Sequence, residues 1–120
     1  MGRVGFVTHR DLSILKIDLS HLANIDDSLA ELAQAKSVIS TQPPGSLRLL
    51  TDVTGMVFNP KWVEEIKRFT TFSTPFIKAS AVIGVTAFSH VIYDSVIRSA
   101  GRTIASFDTE ADAIAWLVEQ

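Results

Sequence analysis

At 120 residues, with 47% hydrophobic and 20% charged residues, the chain is long enough for one self-supporting hydrophobic core and too apolar to be disordered. A net charge of −2 leaves no concentrated basic field to gather nucleic acid or an anionic membrane. Cysteine is absent, which removes disulfides, thiolate nucleophiles and sulfur-ligated metal sites. No signal-peptide core or membrane-length apolar run is present, so a cytoplasmic protein is expected, with residues 1–120 forming one domain.

Residues 3–8 alternate Val4, Phe6 and Thr8 with Gly5 and Val7 and read as a short edge strand. A polar turn over residues 9–13 leads into its antiparallel partner, residues 14–20. Asn24 then suits an N-cap, with Asp26 and Asp27 at the positive helix end. The inward stripe of that helix is Ile25, Leu29, Leu32 and Ile39, with Lys36 laying its stem across apolar surface. Pro43, Pro44 and Gly45 end it.

Leu47, Leu49, Leu50 and Val53 form the central strand, and Thr54-Gly55 breaks it. Asn59 caps the second helix, and Pro60 occupies the first helical position, whose amide needs no intrahelical partner. Trp62, Ile66, Phe69 and Phe72 are its apolar face. Residues 76–85 are nearly all apolar, as in a parallel strand covered on both faces. A third helix is expected to start near Thr86, to turn Phe88, Val91, Ile92 and Val96 inward, and to end at Gly101. Residues 102–107 read as the last strand. Asp108 is expected to cap a fourth helix with Ala111, Ile114, Ala115 and Val118 inward, widened by Trp116 and Leu117.

The order β-β-α-β-α-β-α-β-α implies an α/β fold. Its sheet is mainly parallel and five-stranded, with an antiparallel N-terminal edge strand and four helices. Whether the helices cover one sheet face or both is left open by the sequence.

Four stretches resemble the SpoIIAA-like branch of the STAS superfamily, also described as STAS/SEC14-like. They are residues 17–20 (Ile-Asp-Leu-Ser), residues 50–55 with Asn59, residues 78–85, and Phe107, Asp108 and Thr109 with Ala113, Trp116 and Leu117. The resemblance covers nearly the whole chain. It implies a single STAS-like domain that works as a non-enzymatic regulatory module, similar to anti-sigma-factor antagonists. These dock a kinase-like regulator through the helix after the central strand and are phosphorylated at a serine where that helix begins. Asn59, Pro60 and Lys61 occupy the matching positions, and none can accept a phosphoryl group in that way. The SEC14-like association implies a second role, carriage of a small apolar, lipid-like ligand.

The candidate docking surface runs from Thr54 to Lys67. Thr54, Asn59, Lys61, Lys67, Thr86 and Ser89 are its partner- or anion-binding candidates, because helix starts offer free amides and a positive dipole end. A phosphate on Thr54 or Ser89 is the remaining route to a charge switch. Trp62, Phe69, Phe72 and Phe88 are candidates for an apolar pocket between the second and third helices, against the plainer reading of core packing.

Asp18 and Asp52 end neighbouring strands and can serve either as an acid–base pair or as caps of their own turns. His9, His21 and His90 lack zinc spacing. No metal or other cofactor is expected. A protein partner, a small apolar ligand and a second copy of the chain are the partners this reading admits; nucleic acid and a membrane span are not.

Overall fold

The computed structural model describes residues 3–57, 59–86, 90–101 and 104–120. Strands β1 (Val4–His9) and β2 (Leu12–Asp18) precede helix α1 (Ile25–Ile39) and strand β3 (Leu47–Asp52). Helix α2 (Pro60–Ser73), strand β4 (Ile77–Ile83), helix α3 (His90–Ala100), strand β5 (Ala105–Phe107) and helix α4 (Glu110–Leu117) complete the order. The strands form one sheet in the order β1-β2-β3-β4-β5, with β1 antiparallel to β2 and every other pair parallel. This is the mixed α/β architecture expected from the alternation of apolar segments.

Local chemistry sets several element boundaries. The hairpin turns through Arg10 and Asp11, both left-handed at φ 51 and 63°, a geometry whose twist matches that of the flanking strands. The Asn24 side chain accepts the Asp26 amide at 2.8 Å, and that of Asn59 accepts the Trp62 amide at 2.7 Å, with Pro60 opening α2. Both helices therefore start at the residues their capping chemistry indicates.

Five expectations are corrected. Thr86 is not helical, and α3 begins at His90; Phe88 and Ser89 lie outside the described residues. Ile92, Tyr93 and Val96 set the inward phase of α3, which turns Val91 to solvent with 73% of its surface exposed. In α4 the cap is Thr109, whose hydroxyl accepts the Asp112 amide at 3.2 Å, in place of Asp108. Ala113 and Leu117 are the buried pair there, so Ala111 and Ala115, half a helical turn away, face water. The last strand is also shorter than the apolar run suggested, with residues 102–103 outside the described set.

Alternation along the strands divides the core in two. Leu15, Ile17, Leu49 and Val82 point toward α1, α2 and α3, where they meet Leu32, Ile39, Trp62, Ile66 and Phe69. Ile14, Leu50, Ala79, Ala81 and Ile83 point the other way and meet Ala113 and Leu117 of α4. Helices thus cover both faces, three against one.

The lone helix is tied at each end. Lys16 on β2 donates to the Glu110 carboxylate at 2.6 Å. Arg48 on β3 donates to the carbonyls of Leu117 at 3.0 Å and Gln120 at 2.7 Å, adding a side-chain donor at the helix end, where Leu117 also accepts the Gln120 amide at 3.2 Å. The Glu110 hydrogen bond is the largest influence on Lys16 and raises its pKa above 10.5 despite partial burial.

Candidate functional site: the carboxyl end of the sheet

Because β2, β3 and β4 run parallel, the loops that follow them gather at one end of the sheet, the edge where ligands and partners of open α/β folds assemble. The loops are bonded to one another. Leu19 donates its amide to the Asp52 carbonyl at 2.8 Å, His21 to Thr54 at 2.7 Å, Val57 to Leu22 at 3.2 Å, and Val53 to Ile83 at 2.9 Å.

Two glycines allow this closeness. A Cβ on Gly55, at φ +66°, would lie 2.5 Å from His21 Nδ1, and one on Gly84, at φ +91°, would lie 2.4 Å from the Thr54 amide nitrogen. Both positions combine a left-handed backbone with a close neighbour, so any side chain there would be strained and would clash. The start of the β3–α2 loop, residues 53–57, is consequently held between His21 and Leu22 on one side and Gly84 on the other.

Asp18 and Asp52 are direct neighbours in register at this end. Each is occupied by its own turn. One Asp18 oxygen accepts both the amide and the hydroxyl of Ser20, and an Asp52 oxygen accepts the Thr54 amide at 2.9 Å. Burial pushes the Asp18 pKa up, but the two Ser20 hydrogen bonds, with Arg3 and Lys16, hold it below the usual carboxylate value. This geometry is that of turn capping.

The surface expected to dock a partner lies open. Thr54, Asn59, Pro60 and Lys61 are exposed, and so is Val57, at 47%. The first turn of α2 carries no acidic residue, whereas those of α1 and α4 carry Asp26 and Asp27, and Glu110 and Asp112. Lys67 is half-buried nearly two turns further along α2, beside Glu64, Thr71 and Ser99 of α3 in a shallow surface groove. Thr54, Asn59 and Lys61 are thus exposed along the one connection from β3 into α2, and Lys67 lies on the flank of that helix. Thr86 is exposed in the β4–α3 loop, two residues beyond Gly84.

An apolar cavity of about 80 Å³ lies between β3 and β4 on one side and α2 and α3 on the other. Trp62 and Phe69 line it as expected, together with Ile66, Val82, Ile92 and Tyr93. The Tyr93 hydroxyl donates to the Ile104 carbonyl, and burial raises its pKa. Phe72 does not line the cavity. Its ring packs on Phe76 at 5.8 Å beneath the Lys36 amine at 5.7 Å, with 37% of its surface exposed, because it sits at the margin of the helix stripe centred on Ile66 and Phe69.

Sequence reasoning missed His21 and Arg48 as organising residues, since their partners lie far along the chain. The available signals were a glycine three residues past the end of β3 and a lone cation within an apolar strand. His9, His21 and His90 are exposed, with His90 facing Asp94 at 3.1 Å. Among the described residues no cluster could hold a metal ion, and no helix is long and apolar enough to cross a membrane. No family model, no curated protein and no solved structure matches the chain.

Proposed function

We propose that the chain is a non-enzymatic regulatory or interaction module of STAS-like type that docks a protein partner through the surface from Thr54 to Lys67. The observation that carries this reading is the exposed start of α2. Val57, Asn59, Pro60 and Lys61 are exposed, and the start of their loop is tied down where Thr54 meets Gly84, Gly55 meets His21 and the Val57 amide donates to Leu22. An apolar side chain and a cation are thus offered on one connection whose first part is already anchored. Lys61 and Lys67 favour an acidic element on the partner. Asn59, Pro60 and Lys61 provide no hydroxyl, so partner choice here depends on docking rather than on a phosphoserine at the helix start.

Affinity capture from native lysate with quantitative mass spectrometry tests it. The double variant Lys61→Glu and Lys67→Glu should recover about tenfold less of the wild-type partner while melting within a few degrees of wild type, since Lys61 is exposed and Lys67 only half-buried. Equal recovery by both proteins would exclude this face.

The apolar cavity between α2 and α3 supports a second reading, carriage of a small apolar ligand. Its volume of about 80 Å³ is roughly half that of a cavity that accepts benzene, so the guest is a molecule of a few heavy atoms rather than a lipid chain. Native mass spectrometry of freshly purified protein should show a small retained mass. A bare protein mass removes this reading.

A further inference from the structure

The two edges of the sheet are protected very differently. β5 is three residues long and has α4 packed beside it. β1 is six residues long, neighbours β2 alone, and carries no Lys, Arg, Asp, Glu or Pro. Its pairing with β2 runs without a bulge from Val4↔Ile17 to His9↔Leu12. From Gly5 onward every residue is exposed, including Phe6 at 45% and Val7 at 39%. Short length, edge charges, prolines and bulges are the devices that stop a strand edge from pairing with another chain, and β1 has none of them.

The hydrogen-bond phase of β1 identifies the occupant. The Asp18 amide donates to the Arg3 carbonyl at 2.8 Å, and the two-residue turn makes His9↔Leu12 a hydrogen-bonded pair. The amides and carbonyls of residues 3, 5, 7 and 9 therefore point toward β2, and those of Val4, Phe6 and Thr8 point outward. Three outward residues with Phe6 in the middle match themselves under a two-fold axis. In such a pairing Phe6 would stand opposite its own copy, and Val4 opposite Thr8 of the other chain, twice.

We infer that β1 is a dimerisation edge, joining two copies of this chain antiparallel across Phe6 into one continuous ten-stranded sheet. Both Phe6 rings lie on the same face and directly opposite, an aromatic cross-strand pair that covers the exposed ring. On the reverse face Gly5 stands opposite Val7 and leaves it room. No charged residue lies between positions 4 and 8, which pair among themselves, and the contact is isologous and closes at two copies.

Sedimentation equilibrium on the whole chain over a concentration series tests this. Wild type should dimerise. Thr8→Pro removes an amide that points away from β2 and so leaves the hairpin ladder intact, while Phe6→Glu sets two carboxylates face to face. Each should weaken the dimer about tenfold or more, with the midpoint of thermal unfolding of the monomer little changed. Should Thr8→Pro fail to fold, Phe6→Glu decides alone, since its side chain takes no part in the ladder. The Lys61→Glu and Lys67→Glu variant should dimerise like wild type, which separates this edge from the docking face. A wild type that stays monomeric into the millimolar range overturns the inference. So does a dimer indifferent to both substitutions, or a monomer that takes up an unrelated extended peptide at β1.

Discussion

Helices of 15, 14 and 11 residues cover one face of the sheet, while the other is covered by the eight residues of α4. The larger layer is held by apolar burial contributed by every strand from β2 to β4. The smaller one also draws Ile14, Leu50 and Ala81 from those strands, but its helix contributes only Ala113 and Leu117 as fully buried residues and is too short to be stable alone, so Lys16 and Arg48 hold its two ends from the sheet. The difference teaches that a short helix can close a core when strand side chains anchor it at both ends, one through an ion pair and one through its last carbonyls.

The largest effects should separate the two layers. Ile17→Ala, at a fully buried site in the larger core, should cost about 3–4 kcal/mol, read as a global shift in denaturant midpoint. Leu117→Ala should cost about 2–3 kcal/mol and should selectively speed hydrogen exchange in α4. Uniform acceleration across all four helices in Leu117→Ala would show that the layers unfold as one.

The polar ties come next. Arg48→Met should cost about 1 kcal/mol because it removes both Arg48 hydrogen bonds to the end of α4, although the Leu117 carbonyl keeps the Gln120 amide at 3.2 Å. Lys16→Met should cost less than about 1 kcal/mol, since its carboxylate partner is largely exposed and screened. The folded-state pKa of Lys16 is raised, so its contribution is complete below about pH 10.5 and disappears as pH climbs through the raised value. Asp18 has the opposite sign. Its lowered folded-state pKa gives a contribution present above about pH 3.8 that is lost as pH falls through the lower folded value. Alkaline and acid unfolding of Lys16→Met and Asp18→Asn against wild type measure the two limbs. Wild-type slopes retained in the variants would show that neither contact matters.

The smallest effect is a gain. Val96, 8% exposed, borders the cavity of the larger layer, and Val96→Ile adds one methylene there, which should raise stability by about 0.5–1 kcal/mol. A loss would mean that the lining cannot accept added volume. Partial filling of the cavity should also reduce any small mass retained by the purified protein.

Element order and type were legible because each follows from neighbours in the chain. Apolar spacing separates strands from helices, Asn24 and Asn59 cap through amides two and three residues away, and the paired acids after Asn24 and the proline after Asn59 reinforce those starts. The strand-to-helix junction that carries Thr54, Asn59 and Lys61 was legible to the same extent, since all three lie between the end of β3 and the first turn of α2. Helix phase was legible only in part. Val91 and Ala115 are apolar, yet the side that packs is set by the best-filling pair in each helix, Ile92 with Val96 and Ala113 with Leu117.

By itself the sequence determined the order of elements, the antiparallel start of the sheet and the caps of α1 and α2, all of which depend on interactions within a few residues. Tertiary structure alone decided that α1 to α3 share one face and α4 takes the other, that Gly55 lies beneath His21 and Gly84 against Thr54, and that Arg48 closes the end of α4. Those contacts join residues tens of positions apart. Which of them form depends on how the strands are ordered and how their side chains fill the space between layers, information that local spacing does not contain.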